Sequence, residues 1–380
     1  MLLVATDISL FGSLLTAFSI PLLVYSWYHS GIFLSVFELA ALIPSISLGV
    51  YIGISMKNRD AKKMWVFSSI VLSIISFSVF IRTDVWFLLM LNILSSSIGI
   101  ISTISYQSML ADVIEKEDLS WANSTLSLSM SIVALTSPLL GAYLLTVNEG
   151  LPFLVDSASF LAAALIVWNM AIDSRIKGST EKERFSAAFR SSVSVIKKNM
   201  TVRNTLILFL VTGLIGGGLK IVNVAYFSSF PSYYMIFGIV MASSYVGDIS
   251  VKSAVSVKLI KIRNPYKMVV LSSLFYTASF FILFIRKDFY MALLAFFLLG
   301  IGNGILAPNR VSIIQKDTPR ECLSSVLGVM STLGSFSRIV SVSLFGIAVS
   351  LLPAQFIYGF IGLFMLLVFV VFYPSTRKKE

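Results

Sequence analysis

The segment DSRIKGSTEKERFSAAFRSSVSVIKKNMTVR, from Asp173 to Arg203, is the one long polar stretch in the sequence. It carries eight cations, Arg175, Lys177, Lys182, Arg184, Arg190, Lys197, Lys198 and Arg203, against three acids, Asp173, Glu181 and Glu183. On both sides the chain is apolar almost without interruption. Hydrophobic residues make up 57% of the whole and charged ones 12%, against about 45–50% and 25% in soluble domains. So much apolar surface exceeds what one aqueous core can hold, and lipid is the solvent the composition calls for.

A helix needs about 20 apolar residues to cross a hydrocarbon core of roughly 30 Å. That ruler lays out six spans before the polar segment: Val4 to Trp27, Phe33 to Ile54, Met64 to Ile81, Val85 to Leu110, Trp121 to Val147 and Leu151 to Ile172. Six more follow it: Asn204 to Phe230, Tyr234 to Val257, Met268 to Ile285, Phe289 to Ile314, Leu323 to Leu352 and Ala354 to Phe372. The runs lack the alternation of a barrel strand, so the expected fold is an all-α polytopic membrane protein. Residues 1–172 are expected to form one six-helix bundle and 204–373 a second, with 173–203 as a cytoplasmic linker and 374–380 as a basic tail. Within the linker, Phe185, Phe189, Val193 and Ile196 recur at helical spacing among cations. That suits an amphipathic helix lying on the inner leaflet, and a solvated tether equally.

The net charge of +11 would suggest nucleic acid in a soluble protein, but in a membrane protein the placement of cations matters more. With both termini in the cytoplasm, only Arg82, Arg286 and Lys287 fall outside, and Lys220, Lys252, Arg310 and Arg338 fall in spans; the other 22 of 29 lie inside. An odd number of spans could not keep this sorting on both sides of the linker. Nucleic acid is therefore not an expected partner. The expected setting is the plasma or inner membrane, with the lipid bilayer as surroundings and a monomer as the working unit. The lone Cys322 and lone His29 argue against an internal disulfide and a histidine-rich metal site, so no metal or cofactor is expected. The first span has no basic region before it and no small-residue cleavage site after it, and is expected to stay as an anchor.

The halves repeat one another. Arg82-Thr83-Asp84 precedes the fourth span and Arg286-Lys287-Asp288 the tenth, 204 residues apart. At the same separation Gly12 pairs with Gly216, Lys57 with Lys261 and Arg59 with Arg263. A repeat of six spans keeps its orientation in the membrane, so the bundles are expected to be related by a pseudo-two-fold axis along the membrane normal, with a cavity between them.

These residues resemble the major facilitator superfamily, and within it the macrolide-efflux and enterobactin-exporter-like drug and siderophore exporters. Asp112-Val-Ile-Glu-Lys-Glu-Asp118-Leu-Ser-Trp-Ala122-Asn123 is similar to the acidic loop and Ala-Asn pair that open their fifth helix. Ser137-Pro138-Leu-Leu-Gly141-Ala142, followed by Asp156-Ser-Ala-Ser-Phe160, resembles their helix-five export motif and sixth-helix pattern. Gln315-Lys-Asp-Thr-Pro319 matches a Gln-x-x-x-Pro signature after the tenth helix. In the second helix and the loop after it, Gly53, Arg59 and the following lysines are retained, whereas Lys57 stands where the family's gating aspartate is expected. Asp60 offers a carboxylate one turn later, and the cations there also serve to fix orientation. The resemblance implies alternating access, and it implies export.

An ionisable group within a span costs several kcal/mol unless paired or wetted, which makes each a candidate. Glu38 lies about 7 Å into the second span from outside and Arg338 about 22 Å into the eleventh from inside, at 1.5 Å per residue. Their depths coincide, and the resemblance places those helices together. A Glu38 to Arg338 pair, broken when Glu38 takes a proton, is thus one candidate for coupling, and Asp7 is another proton site. Asp248 and Lys252, four apart with the acid first, suit self-neutralisation on one helix. Lys220, Asn223 and Arg310 are candidates for the substrate cavity, with structural hydrogen bonding or snorkelling as alternatives. Asp156 is expected to be a cap-like structural group. Tyr226, Phe227, Phe230, Tyr233 and Tyr234 are expected to form an interfacial belt, with substrate stacking as the other reading.

Gly213-Leu-Ile-Gly216-Gly217-Gly218-Leu-Lys220 lacks the Gly-Lys-Ser/Thr core of a phosphate loop, and Gly300-Ile-Gly302-Asn-Gly304 fits close helix packing better than a dinucleotide site. Energy must then come from a gradient. One charge crossing 100 mV supplies roughly 2.3 kcal/mol, a little under fiftyfold in concentration. The expected function is a secondary transporter exporting amphipathic small molecules in exchange for protons. A lipid or metabolite carrier or importer of the same fold is the alternative, and a membrane-embedded transferase a distant one, so no catalytic residue is assigned.

Overall fold

A computed structural model describes residues 1–48, 51–52, 55–56, 59–113, 119–171, 176, 196, 199–256, 264–318 and 320–377. The proposed amphipathic stretch of the linker lies outside the described residues apart from Ile196, as do Gly53 and Lys57. Among the described residues all regular structure is helical. The first half holds α1 (Leu2–Tyr28), α2 (Gly31–Ser47), α3 (Ala61–Ile81), α4 (Val85–Val113), α5 (Leu119–Val147) and α6 (Leu151–Trp168). The second holds α7 (Met200–Gly216), α8 (Leu219–Phe227), α9 (Tyr233–Ser256), α10 (Pro265–Ile285), α11 (Phe289–Asp317), α12 (Arg320–Leu351), α13 (Ala354–Phe372) and the short α14 (Pro374–Arg377). Among the described residues, 11 stretches are long and apolar enough to cross a membrane, α7 and α8 counting together, and Gly31–Pro44 adds a shorter one.

The expected seventh span is therefore present but broken. Gly217 and Gly218 interrupt it because the chain runs too close to α12 for side chains. A Cβ on Gly217 would lie 2.8 Å from the Arg338 Cα, and one on Gly218 would lie 2.7 Å from the Phe345 Cδ2. The Gly218 N–H donates to the Ser341 Oγ at 2.7 Å, so the break leaves that buried amide satisfied.

Each half uses the same local signals to start its helices. Asp60 accepts from the Lys63 N–H at 3.0 Å to cap α3, and Asn264, 204 residues on, accepts from Lys267 at 3.1 Å to cap α10. Asp84 accepts from Trp86 and Phe87 at 3.1 and 3.0 Å before α4, and Asp288 from Tyr290 and Met291 at 3.0 and 3.2 Å before α11. Such caps satisfy amide groups that a helix start leaves orphaned. The N–H of Phe87, first, then the Arg82 guanidinium hold the Asp84 carboxyl below the ordinary carboxylate range. A lowered native value means its stabilisation is complete above the ordinary pKa of about 3.9 and is lost as pH falls through the native value. Thermal unfolding of the wild type should lose stability on acidification below about pH 4, and Asp84→Asn, which keeps a capping oxygen, should flatten part of that loss.

The packing scheme repeats as well. In the first half α3 packs on α4 and α6, and α1 on α5 and α6. In the second, α10 packs on α11 and α13, α7 and α8 on α12, and α8 on α13. By proximity the chain divides into two units that each borrow from the other half of the sequence. The first takes in Ser232–Gly238, where Phe237 stacks on Phe18 at 5.4 Å and a Cβ on Gly238 would lie 2.6 Å from the Ala142 Cβ. The second takes in Ser30–Ser35, where a Cβ on Gly31 would lie 2.8 Å from the Gly346 carbonyl oxygen.

Candidate functional site

Each unit holds a cleft within its helices. The first, about 270 Å³, is walled by α1, α3, α4 and α6. Helix α6 begins after Gly150 with Pro152 in its first turn, and Asp156 comes one turn further in. The expected capping role is thereby replaced. Asp156 is 4% exposed and its side chain faces the cleft. Its Oδ2 accepts from the Ser76 Oγ at 2.6 Å, while Oδ1 is buried with no hydrogen-bond partner. Gly12 makes room for the carboxyl, since a Cβ there would lie 2.6 Å from Oδ1. The walls are rich in hydroxyls: Ser13, Thr16, Ser95 and Ser96 line the same space, and Ser73 and Ser157 pair at 3.0 Å beside it. Thr16 spends its proton on the Ser13 carbonyl at 3.0 Å.

The second cleft, about 340 Å³, is walled by α7, the start of α8, α10, α11 and α13. Tyr276 donates to the Asn303 Oδ1 at 2.6 Å, and both line it. Arg310 enters from α11 with its guanidinium carbon 4.3 Å from the centre of the Phe209 ring. Its Nε is buried and makes no hydrogen bond. The two clefts are one feature duplicated. Leu72, Ser76, Ser95 and Gly99 line the first, and Tyr276, Phe280, Leu299 and Asn303, each 204 residues on, line the second. The first holds a carboxyl and the second a guanidinium.

The other candidates are distributed more widely. Asp7 on α1 accepts from the Ser129 Oγ at 2.9 Å. Glu38 is half-buried on α2, and Arg338 is exposed on α12 with its backbone against Gly217. Asn223 is buried on α8 and accepts from the Tyr358 hydroxyl at 2.7 Å, so its amide oxygen is engaged inside the second unit; Lys220 is half-buried on the same helix. Lys252 Nζ lies 2.5 Å from Asp248 on α9. In the loop before α3, Arg59 accepts the Ile176 N–H at 3.0 Å through its carbonyl, and Asp60 caps the helix. The helix-five motif packs on α1: the Ser137 hydroxyl, which donates to the Val133 carbonyl of its own helix at 2.7 Å, also lies 3.4 Å from the Phe11 carbonyl, and a Cβ on Gly141 would meet Phe18 at 3.0 Å. Pro138 and Ala142 receive Gly238.

The aromatic belt requires correction at two of its five members, while Phe230, Tyr233 and Tyr234 are half-buried. Tyr226 and Phe227 are 1% and 0% exposed, and Tyr226 meets Tyr358 edge to face at 5.1 Å. They are core, because the Tyr226 hydroxyl finds the Leu283 carbonyl at 3.4 Å without reaching water. Among the described residues no three His, Cys, Asp or Glu side chains gather as metal ligands.

The family model of the Major Facilitator Superfamily matches residues 2–342 and 261–380. No curated protein matches the sequence significantly. Among solved structures, the fold is similar to the nucleoside transporter NupG, with a TM-score of 0.76 at 12% identity, covering 99% of this chain and 98% of that one. It is also similar to the peptide transporter POT in complex with alafosfalin, with a TM-score of 0.75 at 11% identity over 99% and 94% of the two chains. A bacterial homolog of the lysosomal transporter Spinster gives 0.65 at 12% identity over 91% and 80%. At these identities the likeness is one of fold.

Proposed function

Because the chain belongs to the Major Facilitator Superfamily, we propose that this transporter exports amphipathic small molecules in exchange for protons. Asp156 supports the coupling. A carboxylate buried among apolar and hydroxyl groups with one oxygen unpartnered is costly, and a proton relieves that cost. Binding and release of that proton give a group whose charge differs between two states of the transporter, which is what coupling to a proton gradient requires. The clefts are small for a large macrolide, and the export direction rests on the helix-five motif.

The test is transport of lipophilic dyes into sealed inverted vesicles with and without an imposed pH gradient. Uptake that follows the gradient supports the proposal, and uptake indifferent to it removes proton coupling. Uptake only in right-side-out vesicles favours an importer or metabolite carrier instead.

Glu38, Asp7 and Arg338 remain the other coupling candidates. If a Glu38 to Arg338 pair carries the proton, Glu38→Gln should abolish gradient-driven uptake. If Asp156 carries it, Glu38→Gln should leave the dependence on the pH gradient in place and change the rate by under about tenfold, the effect of one lost interaction worth 1.4 kcal/mol.

A further inference from the structure

We infer that the cleft in the second unit binds the carboxylate of a small, largely apolar organic acid, with Arg310 as its anion-recognising residue. The inference rests on the transport reading only for the role of the site, since binding itself needs no gradient. Three observations carry it. The guanidinium lies over the Phe209 ring at 4.3 Å, which occupies one face and leaves the N–H groups at its edge for an acceptor. Its Nε is buried and makes no hydrogen bond, a donor held ready at a cost. Among the described residues no acidic side chain lines the cleft, and Asp248 on α9 is already taken by Lys252 at 2.5 Å.

The rest of the wall sets the size and character of the ligand. Phe209, Phe280, Leu299, Leu306 and Met365 give apolar surface, while Tyr276 and Asn303 hold each other beside it. A volume of about 340 Å³ lies at the low end of the range for small-molecule sites. One guanidinium matches one carboxylate in a two-pronged contact, whereas a phosphate dianion would leave a charge uncompensated. The equivalent cleft of the first unit carries Asp156 and, among the described residues, no cation, so it offers the same ligand no partner charge and repels it whenever that carboxyl is ionised.

The probe is 2-naphthoate, with uncharged 2-naphthamide as its control, and the readout is thermal unfolding of the purified full chain. Naphthoate should raise the Tm in a saturable way and naphthamide should not. Arg310→Gln should cancel the response, and Arg310→Lys should keep part of it, with affinity at least tenfold weaker. Should Arg310→Gln fail to fold, Thr212→Asp places an anion in the same cleft and should cancel the response equally. No response to naphthoate, equal responses to acid and amide, or a response that survives Arg310→Gln or Thr212→Asp would overturn the inference. Binding that follows this pattern alongside dye uptake blind to the pH gradient would sink proton coupling and leave the anion site standing.

Discussion

Gly300→Leu should leave almost no folded protein. Helices α9 and α11 cross at three glycines, and at Gly300 an added Cβ would fall 2.7 Å from the Ser244 carbonyl carbon and inside the envelope of its oxygen. Gly247 faces the Phe297 carbonyl, and a Cβ on Gly304 would lie 2.9 Å from the Asp248 oxygen. What stands in the way is backbone, which cannot rotate aside as a side chain can. Filling a packed site typically costs about 1–3 kcal/mol, and a clash with main chain lies at or beyond the top of that range. In lipid, where helices associate through close packing, few other terms can compensate. Gly216 and Gly99 are the internal controls, because a Cβ at either meets nothing within 4 Å. Gly216→Ala and Gly99→Ala should chromatograph as a single folded species with a Tm close to wild type. Equal loss at Gly216 and Gly300 would show that glycine content, and not this crossing, matters.

Asp156→Asn should separate binding from energy. The amide has nearly the volume of the acid and can still accept from Ser76, so the α3 to α6 contact survives. It carries no exchangeable charge. Uphill uptake in vesicles should fall at least tenfold while downhill equilibration of the same dye persists. Asp156→Leu removes the acceptor that Ser76 uses, and should cost about 1–3 kcal/mol of stability as well. If Asp156→Asn pumps like the wild type, the carboxyl is structural, and Asp7 and Glu38 return as the leading groups.

The membrane spans were readable because apolar run length and the sorting of cations are properties of residue type alone. The repeat was readable too, since Arg82 and Arg286 mark the same turn in each half. What residue type does not encode is which way a side chain points around its helix. Asp156 reads from the sequence as a cap-like group, whereas its azimuth puts it against Ser76 and Gly12. By sequence Arg310, near one end of its span, suits snorkelling equally well, and only the fold sets the Phe209 ring beneath it. The break at Gly217 and Gly218 is not legible in the sequence for a related reason. Glycine is common in membrane helices, and only the approach of α12 makes these two a discontinuity.

Because the first unit includes Ser232–Gly238, its last pieces leave the ribosome well after the linker has been made. Phe237 stacks on Phe18, and Gly238 fills the notch at Ala142, only once α9 has begun to insert. Maturation of the amino-terminal half is thus tied to translation of the carboxy-terminal one. A nascent chain stalled in the linker would present that notch unfilled to the membrane's quality-control proteases.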